Sequence, residues 1–243
     1  MFDKMRPMLG AIGLLLAACA SSSAPSSSAP SPSGYRPSID PANFSTTIDN
    51  RYLAFATGTT FVYEGTRDGQ AQRDVVTITD KTKVIMGVTC VVVTDVATHD
   101  GALLEKTEDW YAQDRAGNVW YFGEATATYD AQGNVDSTEG SWQGGVDGAQ
   151  PGIVMPASPQ LTDSFRQEFY AGHAEDMFWV VSRDESVEVP FSAFQHALKN
   201  LEWTPLEPEV VDAKVYVAGV GLVLEQSVSG PEEKAELVSV TKP

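Results

Sequence analysis

Apolar and polar positions along this chain alternate in short runs. "TTFVYEG", "DVVTITD", "VTCVVVTDV", "NVWYFGE", "SVEVPFS", "AKVYVAG" and "GLVLEQSV" are rich in β-branched and aromatic residues, and turns containing Gly, Asp or Asn separate them. No window sustains an apolar stripe at i, i+3, i+4 and i+7 over three helical turns. The best helical candidate, "SAFQHALKNLEW" (Ser192–Trp203), runs toward Pro205 and Pro208, and we read it as a turn and a strand. The pattern predicts a mainly β chain.

The densest of these runs is "DWYAQDRAGNVWYFGE", Asp109–Glu124. In a strand Trp110 and Ala112 share one face and Tyr111 and Gln113 the other, while Trp120 and Phe122 oppose Val119 and Tyr121. "DRAGN" has the residues of a tight hairpin turn, with Gly117 or Asn118 suited to positive φ. The stretch is explained as a hairpin held by cross-strand aromatic pairs. Its alternative use is as the wall of a ligand cleft, because concave sites are commonly aromatic and apolar. "DAQGNV" at Asp130 repeats the "DRAGNV" turn, and predicts a second hairpin rather than a calcium loop, whose ligand spacing it fails.

The order of runs suggests two similar meanders, about 58–124 and 161–227. Phe61 and Tyr111 are 50 residues apart, Phe165 and Tyr216 are 51 apart, and each Tyr is followed by a short turn and an apolar strand. Either the chain is internally duplicated or two β-meanders are alike by chance. If duplicated, the halves build one continuous sheet. Between them "STEGSWQGGVDGAQPGIVMPASPQ" (137–160) reads as a long Gly- and Pro-rich loop, the kind that often carries function.

The N-terminus changes where such a sheet would reside. Lys4 and Arg6 precede "MLGAIGLLLAAC", a run too short for a comfortable membrane span but suited to a secretory signal. Leu16-Ala17-Ala18-Cys19 resembles the lipobox of bacterial lipoproteins. That resemblance implies removal of residues 1–18 and diacylation, as with palmitate, of Cys19. Residues 19–40 then form the lipidated Cys and a Ser/Pro-rich tether, and 41–243 a single β-rich domain. The expected location is outside the cytoplasm, with the lipid in the outer face of the cytoplasmic membrane or in the outer membrane. Only Cys90 remains as a second cysteine. Its Val and Thr neighbours suggest a buried strand thiol, and no internal disulfide can form.

A net charge of −17, spread along the chain, argues against nucleic-acid partners and against docking on anionic lipid by charge. No HExxH, CxxC, G-x-S-x-G or phosphate-binding glycine loop occurs, so no catalytic residue, cofactor or metal is expected. His173 and Glu175 in "GHAEDM" stand two apart, too few for a zinc site.

"DWYAQDRAGNVWYFGE", "TEGSWQGGVDGAQPGI" and "VYVAGVGLVLE" together resemble a family of exported bacterial proteins with no established activity, over about Ile48–Val240. The "YVAGVGLVLE" ending also resembles the last strands of open β half-barrels, related in shape to periplasmic lipoprotein carriers. These likenesses imply a location and a curved, half-barrel-like antiparallel sheet wrapping an apolar cleft.

We therefore expect a non-catalytic binding protein for an apolar or amphipathic ligand, or for a partner protein. Trp110, Trp120, Tyr121 and Trp142 are the candidate walls, with Glu175 as a polar candidate. The competing readings are an envelope hydrolase using acids such as Glu175 and Asp176, and a structural lipoprotein without a small ligand.

Overall fold

A computed structural model describes residues 34–243. The expected signal peptide, the Cys19 lipidation site and the expected tether as far as residue 33 lie outside the described residues.

The described chain is nearly all antiparallel sheet. After a 3-10 turn at Pro41–Asn43, the first-half strands are β1 (Phe44–Ser45), β2 (Thr60–Arg67), β3 (Gln70–Ile85), β4 (Val88–His99), β5 (Ala102–Asp114) and β6 (Val119–Tyr129). Short strands follow: β7 (Val135–Ser137), β8 (Trp142–Gln143), β9 (Gln150–Met155), β10 (Ser164–Arg166) and β11 (Glu168–Phe169). The second half continues with β12 (Met177–Val189), β13 (Ser192–Trp203), β14 (Val211–Val217), β15 (Gly221–Ser229) and β16 (Glu233–Thr241). Ser192–Trp203 is strand throughout. The segment 137–160, read as a loop, carries β8 and β9, both laid against β6.

One sheet runs through both halves in the order β10-β12-β13-β14-β15-β16-β2-β3-β4-β5-β6-β9-β11. Its two ends are consecutive in sequence: β10 pairs with β12 and β11 with β9, so Ser164–Phe169 bridges both edges. The sheet thus curls beyond a half-barrel into a nearly closed barrel, which removes exposed edges. Gly152 permits this seam, because a Cβ there would lie 2.3 Å from the Arg166 carbonyl oxygen.

Outward positions such as Glu64, Arg73, Lys106 and Glu108 are exposed and charged, as expected of a water-facing barrel. Inside, the two ends differ. At one end Phe61, Val76, Val93, Tyr111, Leu198 and Leu237 form the main core. Residues 46–59 plug this end with Ile48, Tyr52, Leu53 and Phe55. The Asn50 side chain fixes the plug by donating to the carbonyls of Gly117 (2.9 Å) and Pro156 (3.0 Å) and accepting from Tyr52 N–H (2.9 Å).

A second, smaller cluster lies on the outer face of β4–β6. It contains Cys90, Val92, Trp110, Ala112 and Phe122, covered by Ile39, Phe44 and Trp120. The chain around it also touches the seam. Tyr35 donates to the Pro151 carbonyl at 3.0 Å and packs edge-on against Phe169.

Candidate functional site

The opposite end of the barrel interior is polar. Strict alternation carries each strand from apolar to polar side chains: Phe61, Tyr63 to Arg67 on β2; Ile78, Val76 to Asp74 and Gln72 on β3; Val93 to Asp95 on β4. On β5 the inward series reads Tyr111, Asp109, Thr107, Glu105, and on β13 Leu198, Asn200, Glu202. All of these side chains are buried, so the polar end is part of the interior rather than a rim.

Glu124 reaches this end through an irregularity. Asp109 faces Glu124 and Tyr111 faces Tyr121 across β5 and β6, so β6 uses one more residue than β5 over that step. The extra residue is accommodated at Gly123, whose φ is +130° and whose Cβ, if present, would lie 2.4 Å from the Trp142 carbonyl oxygen. The bulge reverses the alternation, so Tyr121 and Glu124 both face inward and Phe122 faces out.

The result is a compact group on β5, β6 and β8. Tyr121 donates to Asp109 Oδ1 at 2.7 Å and stacks on Tyr111 at 4.9 Å between ring centroids. Trp142, cross-strand neighbour of Glu124, packs edge-on against Tyr121 at 5.4 Å. Asp109 Oδ2, both Glu124 carboxyl oxygens and Trp142 Nε1 are buried without a hydrogen-bond partner. Burial pushes the Glu124 and Asp109 carboxyls well above the usual carboxylate range. For Glu124 the neighbouring Asp109 and Glu168 add to burial; for Asp109 the Tyr121 hydroxyl and Lys214 pull the other way.

Beside this group, Glu105 accepts from the Thr107 hydroxyl at 3.2 Å, and its carboxyl is pushed up to about 7 by burial and by Asp95. Asp74, bonded to the Gln72 amide at 2.8 Å, is raised by burial and Asp95. Across the barrel, Lys214 pairs with Glu202 at 2.7 Å and lies 3.7 Å from Glu225. Burial alone would lower the Lys214 pKa, but these two carboxylates outweigh it and keep the ammonium charged. Asn200, opposite Lys214 on β13, is 0% exposed and neither atom of its amide has a partner.

The candidates chosen from sequence divide between two faces. Tyr121 and Trp142 join the interior group. Trp110 and Trp120 lie in the outer cluster, where Trp120 Nε1 donates to Asp114 Oδ2 at 2.9 Å and the Lys83 ammonium sits 3.2 Å above the Trp110 ring. Glu175 accepts from Gly172 N–H at 2.9 Å and faces Arg166 at 3.8 Å, so its carboxylate holds the 170–176 turn. His173 stacks on Tyr170 rather than joining Glu175. Cys90 is buried in β4, and burial raises its thiol to about 12. No group of three or more His, Cys, Asp or Glu side chains converges to hold a metal among the described residues. Sequence reading missed Asp109, Glu124 and Asn200. For Glu124 the available signal was Gly123 within a strand, which marks a bulge and reverses the face of the residues after it.

No protein-family model matches the chain, and no curated protein matches it. Among solved structures, the chain is similar to a protein described as exported and of YmcC-like fold from Bacteroides fragilis NCTC 9343. The likeness has a TM-score of 0.46 and 14% identity, over 79% of this chain and 99% of that one. It is also similar to a protein described as a lipoprotein from Parabacteroides distasonis ATCC 8503, with a TM-score of 0.41 and 12% identity, over 77% and 96% of the two chains.

Proposed function

We propose that this protein is a lipid-anchored, extracytoplasmic binding protein whose ligand sits inside the barrel, at its polar end. The location rests on the signal-like N-terminus and the lipobox at Cys19. The binding role rests on one observation: Glu124 and Asn200 are fully enclosed in the interior with their polar atoms unpartnered. Buried polar groups are almost always hydrogen-bonded, and leaving one unmade costs about 1–3 kcal/mol. A ligand that meets these groups offsets that cost. The apolar half of the interior is filled by the protein's own side chains and plugged by residues 46–59, which supports the polar end over an apolar cleft as the site.

Two experiments test this reading. Metabolic labelling with palmitate should mark the wild-type chain, and Cys19→Ser should abolish both label and membrane retention. Label persisting in Cys19→Ser would contradict the anchor. Native mass spectrometry of the full chain, released gently from envelope membranes, should show a small molecule bound one to one. A bare mass, together with no binding of any small molecule tested, would contradict the binding role.

A further inference from the structure

We infer that the ligand is an organic cation rich in N–H donors, a linear polyamine being the simplest case, with one ammonium seated between Asp109 and Glu124. This inference rests on the reading of the interior as a binding site and names the chemistry that would fill it.

Among the described residues, Lys214 and Arg67 face the polar end and both are engaged, Lys214 by Glu202 and Glu225 and Arg67 by Glu233 at 3.3 Å. Asp109 and Glu124 face each other across β5 and β6 with no cationic side chain at ion-pair distance among the described residues. Two enclosed carboxyls side by side favour a positive guest over a neutral or negative one.

Hydrogen-bond capacity narrows the class. The Tyr121 hydroxyl satisfies one oxygen of Asp109, and a cationic guest that displaces the protons burial favours on this pair leaves Oδ2 and both Glu124 oxygens as acceptors. A guest must therefore bring several donors, which an ammonium does with three. The aromatic surroundings suit the same guest. Tyr121 donates to Asp109 and Trp142 is the cross-strand neighbour of Glu124, so a cation seated at the pair lies among aromatic side chains.

Asn200 is the independent observation. It lies on β13, across the barrel from β5, in register with Lys214, and its enclosed amide offers an unused acceptor and unused donors. A guest that serves Asn200 as well as the Asp109–Glu124 pair must reach from β5 and β6 to β13, as two ammonium groups joined by a methylene chain would. The spread of acceptors over β5, β6 and β13, without convergence of three metal-ligating side chains, likewise fits an extended cation better than a metal ion.

The test is calorimetric titration of the full chain in detergent with spermidine, at about 150 mM salt so that loose attraction to the acidic surface is screened. Stoichiometric binding is expected, weakened about tenfold or more by Glu124→Gln and by Asn200→Ala and unchanged by Glu64→Gln on the outer face. Asp109→Asn serves as the second probe of the carboxyl pair if Glu124→Gln folds poorly. Absence of binding by spermidine and putrescine would overturn the inference. So would binding insensitive to Glu124→Gln and Asp109→Asn, or equal displacement by magnesium. If the molecule extracted from the protein is instead a sugar or a lipid, the binding reading stands and the cation fails. If nothing binds at all, both fail.

Discussion

Glu105 links the polar interior to the stability of the whole chain. Its carboxyl titrates near 7 in the folded protein against 4.5 when free, mainly because burial disfavours the charge. Below pH 4.5 it is protonated in both states. Between 4.5 and 7 the unfolded chain ionises while the folded chain keeps its proton, so stability falls as pH rises and the loss is complete above 7. At about 1.4 kcal/mol per pKa unit, this one group contributes at most about 3.5 kcal/mol of change. Asp74, Asp109, Glu124 and Glu225 are raised in the same direction, burial being the leading cause for each. Urea denaturation should therefore show a more stable protein at pH 5 than at pH 7.5, and Glu105→Gln should reduce the difference. A protein steadily more stable toward pH 7.5 would refute this. Gly123 is the other decisive residue. Gly123→Ala is expected to cost about 2 kcal/mol or more, since it combines a left-handed φ with a backbone clash against Trp142. Strict alternation read from "VWYFGE" placed Tyr121 correctly, but it could not place Glu124, because a bulge depends on what β8 presses against β6.

Hairpins were the most legible elements. The two "D-x-x-G-N" turns have the same internal bonds: Asn118 N–H donates to Asp114 Oδ1 at 2.9 Å, and Asn134 N–H to Asp130 Oδ1 at 2.8 Å. Their surroundings differ. Asp114 is buried and also receives the Trp120 indole N–H, whereas Asp130 is only half-buried and, among the described residues, has no such partner beyond its own turn. Asp114→Ala should lower unfolding stability by about 1–3 kcal/mol, because it leaves buried donors unmade, and Asp130→Ala should leave the same urea midpoint unmoved. Equal effects would show that the turn alone, not its burial, governs the hairpin. Trp120 presents the opposite case from Tyr121. It packs under Phe44, ring centroids 5.9 Å apart, on the outer face. Trp120→Ala should destabilise the domain while leaving ligand affinity unchanged, and lost affinity in a folded Trp120→Ala protein would move the site to that face. Composition marked both tryptophan-bearing strands as important, but the division of their faces between a core and a site required the barrel's closure.

At the scale of the molecule, the segments 58–124 and 161–227, read from sequence as two similar meanders, contribute β2–β6 and β10–β15 to one sheet, with β11 at the opposite edge beside β9. Phe61 lies on the first strand of one and Phe165 on the first of the other, while Tyr111 on β5 and Tyr216 on β14 are both buried. Each of these tyrosines has an inward charged residue two positions before it, Asp109 and Lys214, and these act on each other across the interior. Strand content and the meander order were legible because period-2 alternation is local. Closure was not, because it depends on Ser164–Phe169 pairing with strands far away on both sides, and on Gly152 letting them approach. The acid-rich interior was hidden for the same reason: in an acidic chain, only the barrel separates inward carboxyls from solvated ones. The most direct test is a high-resolution crystal structure of the protein purified from its native source with no ligand added. The account predicts density for an N–H-bearing molecule bridging Asp109, Glu124 and Asn200. Asp109 and Glu124 joined only by a shared proton, with Asn200 turned onto neighbouring backbone and no guest between them, would contradict it.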